Sequence, residues 1–223
     1  MQLNQSGKEF GIKCLTQAVI QGRSILEVGA CDINGSLRPH VTALQPASYL
    51  GTDIAEGPGV DQIAYVERLQ ADLGRTFDVI ISTEVAEHVR DWRAMVRSMK
   101  ATLNPGGHLL LTTRSKGFYY HGYPFDWWRY EPEDMREIFS DFEVLAVEKD
   151  PLAPGVFFFA RKPETFTERD LDSIHLYSIV KRTRCQDVSE AEYERFKRIY
   201  PVRRRFWKIW PKILRFGYNT DWA

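Results

Sequence analysis

Short apolar runs recur at Ser24–Ala30, Ser48–Ile54, Phe77–Thr83 and His108–Arg114, each rich in Ile, Val or Leu and bounded by Gly, Asp or Pro. Runs of that length and composition predict buried strands. Gln62–Glu67 is a weaker candidate of the same kind. Elsewhere the period changes. Phe10, Cys14, Leu15, Ala18 and Val19 fall at helical spacing before Gly22, and Trp92, Met95, Val96, Met99 and Leu103 form one stripe that stops at Asn104-Pro105-Gly106-Gly107. Both predict amphipathic helices, the second over Asp91–Leu103 with a defined C-terminal stop. After a short helix near Pro132–Phe139, the runs Phe142–Val147 and Val156–Ala160 read as a closing hairpin on the sheet edge. Strands alternating with helices predict an α/β chain, a Rossmann-like, doubly wound, mostly parallel sheet whose ligand lies beyond the carboxyl ends of its strands.

At 223 residues the chain holds one such domain plus an appendage. Hydrophobic residues at 43% and charged residues at 27% exclude a largely disordered chain. Cys14, Cys31 and Cys185 are too few and too scattered for a disulfide framework or a thiolate zinc site, and fit a reducing compartment. The first residues lack a basic segment followed by an apolar one, and nowhere are there about 18 consecutive apolar residues. The expectation is a cytoplasmic protein with no membrane span. Formal net charge is zero, yet residues 1–180 carry 18 Lys and Arg against 25 Asp and Glu, and residues 181–223 carry 12 against 5. A main domain over 1–163 and a basic, aromatic, helical extension over 164–223 are therefore expected.

Glu27-Val28-Gly29 closes the first strand, and the next glycine of the loop is Gly35. Cys31 stands where a dinucleotide fingerprint needs its second glycine, which disfavours a pyrophosphate ligand. An acid at the strand end suits a ligand with an ammonium group and no phosphate, which points to S-adenosylmethionine. Asp53, at the end of Gly51-Thr52-Asp53, can accept hydrogen bonds from both ribose hydroxyls. With L-E-V-G and Gly35, G-T-D-I, F-D-V-I-I-S-T-E-V-A-E-H-V and L-N-P-G-G-H-L-L-L in this order, residues 20–162 resemble the class I S-adenosylmethionine-dependent methyltransferases. The resemblance implies a seven-stranded sheet with a reversed last strand. It places the cofactor against Glu27, Gly29, Ala30, Gly35, Asp53, Ile54, Thr83 and Glu84, with adenine near the backbone of Tyr65 to Arg68. The loop is two residues longer than the family's E/D-x-G-x-G-x-G and carries Asp32, Asn34 and Ser36. Asp32 reads as a turn former, and Ser36 stays open between turn and ligand contact.

Methyl transfer from a sulfonium mainly needs alignment, but a hydroxyl acceptor must also lose a proton, to a base or with the help of a metal. Two clusters qualify. Glu84, Glu87 and His88 follow the fourth strand and share a face if the chain turns helical there. They resemble the E-x-x-E-H of ubiquinone-biosynthesis O-methyltransferases, which implies a divalent ion such as Mg; contact with the cofactor or capping of the next helix is the plainer alternative. Residues 117–130 hold eight aromatics in fourteen positions, within an expected lid over 115–130 that shapes the acceptor pocket. There His121 is the leading candidate base, with Asp126 or Arg129 orienting it or holding an anionic substrate group; the plainer reading is a packed lid with a satisfied His121. Arg114 is expected to pair with a protein carboxylate. Cys31 reads as a small-residue slot.

In the tail, Phe206, Ile209, Trp210 and Ile213 oppose Arg204, Arg205, Lys208 and Lys212 at helical spacing. The segment reads as packing on the acidic body, as a dimer contact, or as a peripheral membrane contact, with nucleic acid disfavoured. The functional expectation is O-methylation of a sugar, glycan or other small-molecule hydroxyl. N-methylation and a non-catalytic cofactor-binding scaffold are the alternatives.

Overall fold

A computed structural model describes residues 5–32, 35–122 and 124–200. The chain divides into two compact units, residues 1–186 and 187–223. The first unit opens with α1 (Gln5–Cys14) and α2 (Gln17–Ile20). It continues through β1 (Ser24–Val28), α3 (Arg38–Ala43), β2 (Ser48–Asp53), β3 (Gln62–Ile63), a 3-10 turn at Val66–Arg68, α4 (Leu69–Leu73) and β4 (Phe77–Thr83). A second 3-10 turn at Ala86–His88 leads to α5 (Trp92–Thr102), β5 (Leu103–Arg114), β6 (Trp128–Arg129), α6 (Pro132–Ile138), β7 (Glu143–Lys149) and β8 (Gly155–Arg161). Two short strands, β9 (Leu176–Ser178) and β10 (Thr183–Cys185), end the unit.

Seven strands form one sheet in the order β3-β2-β1-β4-β5-β8-β7. The first five run parallel, and β8 is antiparallel to both β5 and β7, so the expected closing hairpin and reversed last strand are present. The order reverses between β1 and β4. In sheets of this kind ligands bind beyond the carboxyl ends of the strands at such a switch point, where Gly29 and Thr83 emerge in this chain.

Ile25, Val79, Ile81, Leu110, Phe157 and Phe159 alternate onto one face of the sheet and pack with Phe10, Cys14 and Leu15, with Val41 of α3 and with Leu37 just before it. On α5 the predicted stripe is buried, with Trp92, Met95, Val96 and Met99 each at most 1% exposed. Asp91 caps this helix by accepting the Ala94 N–H at 2.9 Å. The Asn-Pro-Gly-Gly stop is already strand, since Leu103 pairs with Phe77. The weak run at Gln62–Glu67 yields only the two residues of β3 before the 3-10 turn.

A second, three-stranded antiparallel sheet, β10-β9-β6, ties the end of the 115–130 segment to residues 176–185. The buried Arg93 of α5 holds this later stretch, donating to the carbonyls of Leu171, Ile174 and Gln186. Residues 164–186 thus pack as part of the first unit. In the second unit, residues 190–200 are helical, and Ser189 and Glu192 hydrogen-bond at its start. The tail stripe from Phe206 to Ile213 lies outside the described residues, as do Asn34 and Tyr123.

Candidate active site

On the β1–β2 side of the switch point, the cofactor-loop residues named from the sequence come together. Gly29 and Ala30 donate to the Thr52 carbonyl, and Asp53 accepts the N–H groups of Cys31 at 3.2 Å and Ile54 at 2.7 Å. Gly29 has a φ of +79°, and a Cβ there would stand 2.2 Å from Val85 Cγ2. Only glycine lets the loop turn this closely past the end of β4. Ile54, 52% exposed, offers an apolar surface beside Asp53.

The extra length of the loop is braced from within. Asp32 accepts the Gly35 N–H at 2.6 Å, which is the turn role. Ser36 donates to Glu27 at 3.3 Å, and Tyr49 donates to the other oxygen of that carboxylate at 2.7 Å. Glu27 is 3% exposed, and burial raises its pKa against these donors. Arg38 lies over the Tyr49 ring and reaches the Gly59 carbonyl and Asp61, whose carboxylate accepts the Gly51 N–H. Glu27 is therefore a brace of the loop. Tyr49, Arg38 and Asp61 escaped the sequence reading because nothing local marks a tyrosine mid-strand as a partner of β1. Tyr65, 44% exposed, has its N–H on Asp72.

Across the switch point, the two clusters that look separate in the sequence are one. Glu87 and His88 come from the 3-10 turn after β4, and His121 reaches them from the 115–130 segment. One ligand atom from each lies within 4.8 Å of the others. Glu87 Oε1 stands 3.7 Å from His121 Nε2 and 3.9 Å from His88 Nε2, and its Oε2 accepts from Thr113 Oγ1 at 2.8 Å. His88 Nδ1 donates to the Phe125 carbonyl. His121 Nδ1 donates to Asp126 at 3.0 Å. Glu87 is fully buried, and neither its Oε1 nor His121 Nε2 has a hydrogen-bond partner among the described residues.

Glu84 does not join this group. Its backbone is left-handed, with φ +58°, so no continuous helix runs from 84 to 88. The carboxylate turns instead to Arg114, which it pairs directly, and accepts from Thr112 at 3.0 Å. Arg114 also reaches Asp150 at 3.5 Å, so its partners are protein carboxylates, as expected. Arg129 likewise has no exposed surface with which to hold a substrate anion. It binds both oxygens of Asp126 and the carbonyls of Tyr119 and Trp128.

These pairings set the charges. Burial would lower the basicity of His121, but Asp126 and Glu87 outweigh it and push its pKa up to about 9. Burial would raise Asp126, yet Arg129 and His121 hold it at about 2. Burial likewise works to raise Glu87, and His121 and His88 bring it below the ordinary carboxylate value.

The aromatic segment splits in two. Trp127, Trp128 and Tyr130 are at most 3% exposed. They pin the turn beneath them: Trp127 donates its N–H to the Glu87 carbonyl, Trp128 Nε1 to that of Arg90, and the Tyr130 hydroxyl to that of Ala86. Tyr119 and Phe125, at 69% and 41%, keep exposed faces.

The sequence model of a family described as a methyltransferase domain matches residues 12–173. Ubiquinone biosynthesis O-methyltransferase of Acinetobacter baumannii (strain AYE) is 28% identical over 109 residues, 42% of this chain and 45% of that protein. The match thus spans about half the length of this curated relative. Among solved structures, the N-methyltransferase NodS from Bradyrhizobium japonicum WM9 in complex with S-adenosylhomocysteine has a TM-score of 0.55 at 15% identity, over 72% of this chain and 89% of that one. The 1,6-didemethyltoxoflavin-N1-methyltransferase of Burkholderia thailandensis, with its substrate and S-adenosylhomocysteine, has a TM-score of 0.52 at 14% identity, over 69% and 78%. At these identities the structural likeness concerns the fold.

Proposed function

Because the chain belongs to the class I S-adenosylmethionine-dependent methyltransferases, we propose that it methylates a hydroxyl oxygen of a sugar, glycan or other small molecule. The observation that carries this reading is the buried pair of Glu87 Oε1 and His121 Nε2 in the cluster that follows β4, neither with a hydrogen-bond partner among the described residues, which leaves the carboxylate oxygen to accept a proton. A hydroxyl needs somewhere to send its proton, whereas an amine with a free lone pair does not. The ubiquinone biosynthesis relative is itself an O-methyltransferase, in keeping with this choice.

Residues of the crevice fit the cofactor. Asp53 supplies a carboxylate for the two ribose hydroxyls, Ile54 an apolar surface for the base, and the close turn at Gly29 backbone for the methionyl end. Bound S-adenosylmethionine would supply an electrophilic methyl on a cationic sulfonium that leaves as a neutral thioether. The chain itself orients the acceptor and receives its proton at the Glu87–His121 pair, which Thr113 and Asp126 hold in place. The exposed faces of Tyr119 and Phe125 suit stacking against a pyranose or a planar ring.

The test is transfer of isotopically labelled methyl to a panel of sugars, polyols and phenols, with primary and secondary amines alongside. Label in ether linkages is the expected result. Label only on nitrogen would replace this reading with N-methylation, and cofactor uptake without transfer to any acceptor class would favour a non-catalytic role. Peripheral membrane contact and dimerisation belong to the tail outside the described residues. Among the described residues no helix is long and apolar enough to cross a membrane.

A further inference from the structure

The group that receives the acceptor's proton in this reading has more order than a proton acceptor requires. Each of its three side chains presents one donor atom inward while the opposite atom is fixed from outside. His88 Nδ1 is held by the Phe125 carbonyl, His121 Nδ1 by Asp126, and Glu87 Oε2 by the Thr113 hydroxyl. Asp126 is itself clamped by the buried Arg129. In a neutral imidazole the nitrogen that donates to an oxygen leaves the other as a lone pair, so once an ion displaces any second proton both rings can offer Nε2 to a common point. This is how proteins orient histidines that bind metals.

We propose that Glu87 Oε1, His88 Nε2 and His121 Nε2 form a two-histidine, one-carboxylate site for a first-row transition dication such as Zn2+, in preference to Mg2+. The proposal rests on the methyltransferase reading only for what the ion would do, not for whether it binds. Ligands on a shared tetrahedral Zn2+ at about 2.0–2.1 Å lie roughly 3.3–3.4 Å apart. The separations here, 3.7 and 3.9 Å to Glu87 and 4.8 Å at most, need only side-chain adjustments of about an ångström. The fully buried Glu87 leaves Oε1 without a hydrogen-bond partner, a costly state that a cation at this point relieves. Two imidazoles and a single carboxylate suit zinc and its neighbours, whereas Mg2+ favours an oxygen octahedron.

The set differs from the one the sequence implies. Glu84 is taken by Arg114, and the third ligand arrives from the 115–130 segment. Without an ion, the same side chains answer one another as an imidazolium between Asp126 and Glu87. An ion binding here takes the place of that proton and releases it to solvent. Three protein ligands leave coordination positions for an acceptor hydroxyl, whose acidity the ion would raise so that its proton passes to solvent; the Glu87–His121 pair itself takes that proton only in the metal-free chain.

The experiment uses the untagged full chain, stripped with chelator and titrated with Co2+ followed by visible absorption, and with Zn2+ and Mg2+ by calorimetry. Expected are a single Co2+ or Zn2+ per chain, no competition from millimolar Mg2+, and affinity reduced at least about tenfold by Asp126→Asn and further by His88→Ala, His121→Ala or Glu87→Gln. S-adenosylhomocysteine binding, measured on the same variants, reports that each is folded. X-ray absorption at the zinc edge of the wild-type complex needs no variant and should find two imidazoles. Absence of stoichiometric binding, equal affinity for Mg2+, binding untouched by His121→Ala, or fewer than two imidazoles would each overturn the site. Label transfer by the metal-free chain would leave the methyltransferase reading standing when the metal proposal fails.

Discussion

Replacing Asp53 by Ala isolates the cofactor half of the account. In the proposed complex its carboxylate accepts both ribose hydroxyls, and hydrogen bonds to a charged acceptor contribute roughly 1.5–3 kcal/mol. At 1.4 kcal/mol per tenfold, that is a loss of about 10- to 150-fold in affinity for S-adenosylhomocysteine. The same carboxylate holds the N–H groups of Cys31 and Ile54. Asp53→Asn, which keeps one acceptor oxygen, should therefore fall between wild type and Ala. Isothermal calorimetry gives the affinities, and thermal unfolding checks that the fold survives. An Asp53→Ala protein that binds with wild-type affinity would refute the placement of the ribose. So would a loss that appears only together with a collapse of the melting temperature.

Three further outcomes follow from the framework. Lys100 and Asp141, 1% and 5% exposed by side chain, pair at 2.6 Å, and Lys100 also donates to the Ile138 carbonyl. Asp141→Ala should cost about 3–5 kcal/mol in urea unfolding by stranding a buried ammonium, and Lys100→Met added to it should recover much of that; no recovery would mean the charge is not what matters. Gly29→Ala must place its Cβ against Val85 at a positive φ, so a stability loss of about 1–3 kcal/mol with weakened cofactor binding is expected, checked by the same two assays. Burial pushes Asp78 up, but the Ser24 N–H and hydroxyl and the Asn104 amide outweigh it and hold its carboxyl below the usual value. A lowered folded pKa gives stability that is complete above the unfolded value of about 4 and is lost as pH falls through the folded one. The gap in urea midpoint between wild type and Asp78→Asn should thus be wide at pH 7 and narrow near pH 2; a gap that stays constant would contradict it.

The main sheet was legible in the sequence because each long strand is a compact apolar run and the stripe of α5 repeats at helical spacing. Short pieces were not. Strands β6, β9 and β10 have two or three residues each, too few for a period to register, so the second sheet went unseen. In the site, sequence spacing grouped Glu84 with Glu87 and His88 by assuming a continuous helix, and the left-handed backbone at Glu84 breaks that assumption. His121 stood out by its aromatic company, but its apposition to Glu87 is a long-range contact that no local spacing encodes. The same limit hid Thr113, whose hydroxyl meets Glu87 only once β5 lies beside β4. Aromatic density marked residues 117–130 as unusual without sorting Trp127, Trp128 and Tyr130, which pack, from Tyr119 and Phe125, which stay exposed.

In the proposed reaction Glu87 and His121 remove the proton of a hydroxyl acceptor, directly in the metal-free chain or through the ion they would hold. Glu87→Gln tests this step, comparing methyl transfer to an oxygen acceptor with S-adenosylhomocysteine affinity in one preparation. A fall in kcat of about 10²- to 10⁴-fold is expected, with cofactor affinity held within a few-fold of wild type. Transfer at the wild-type rate by a folded Glu87→Gln protein would contradict it.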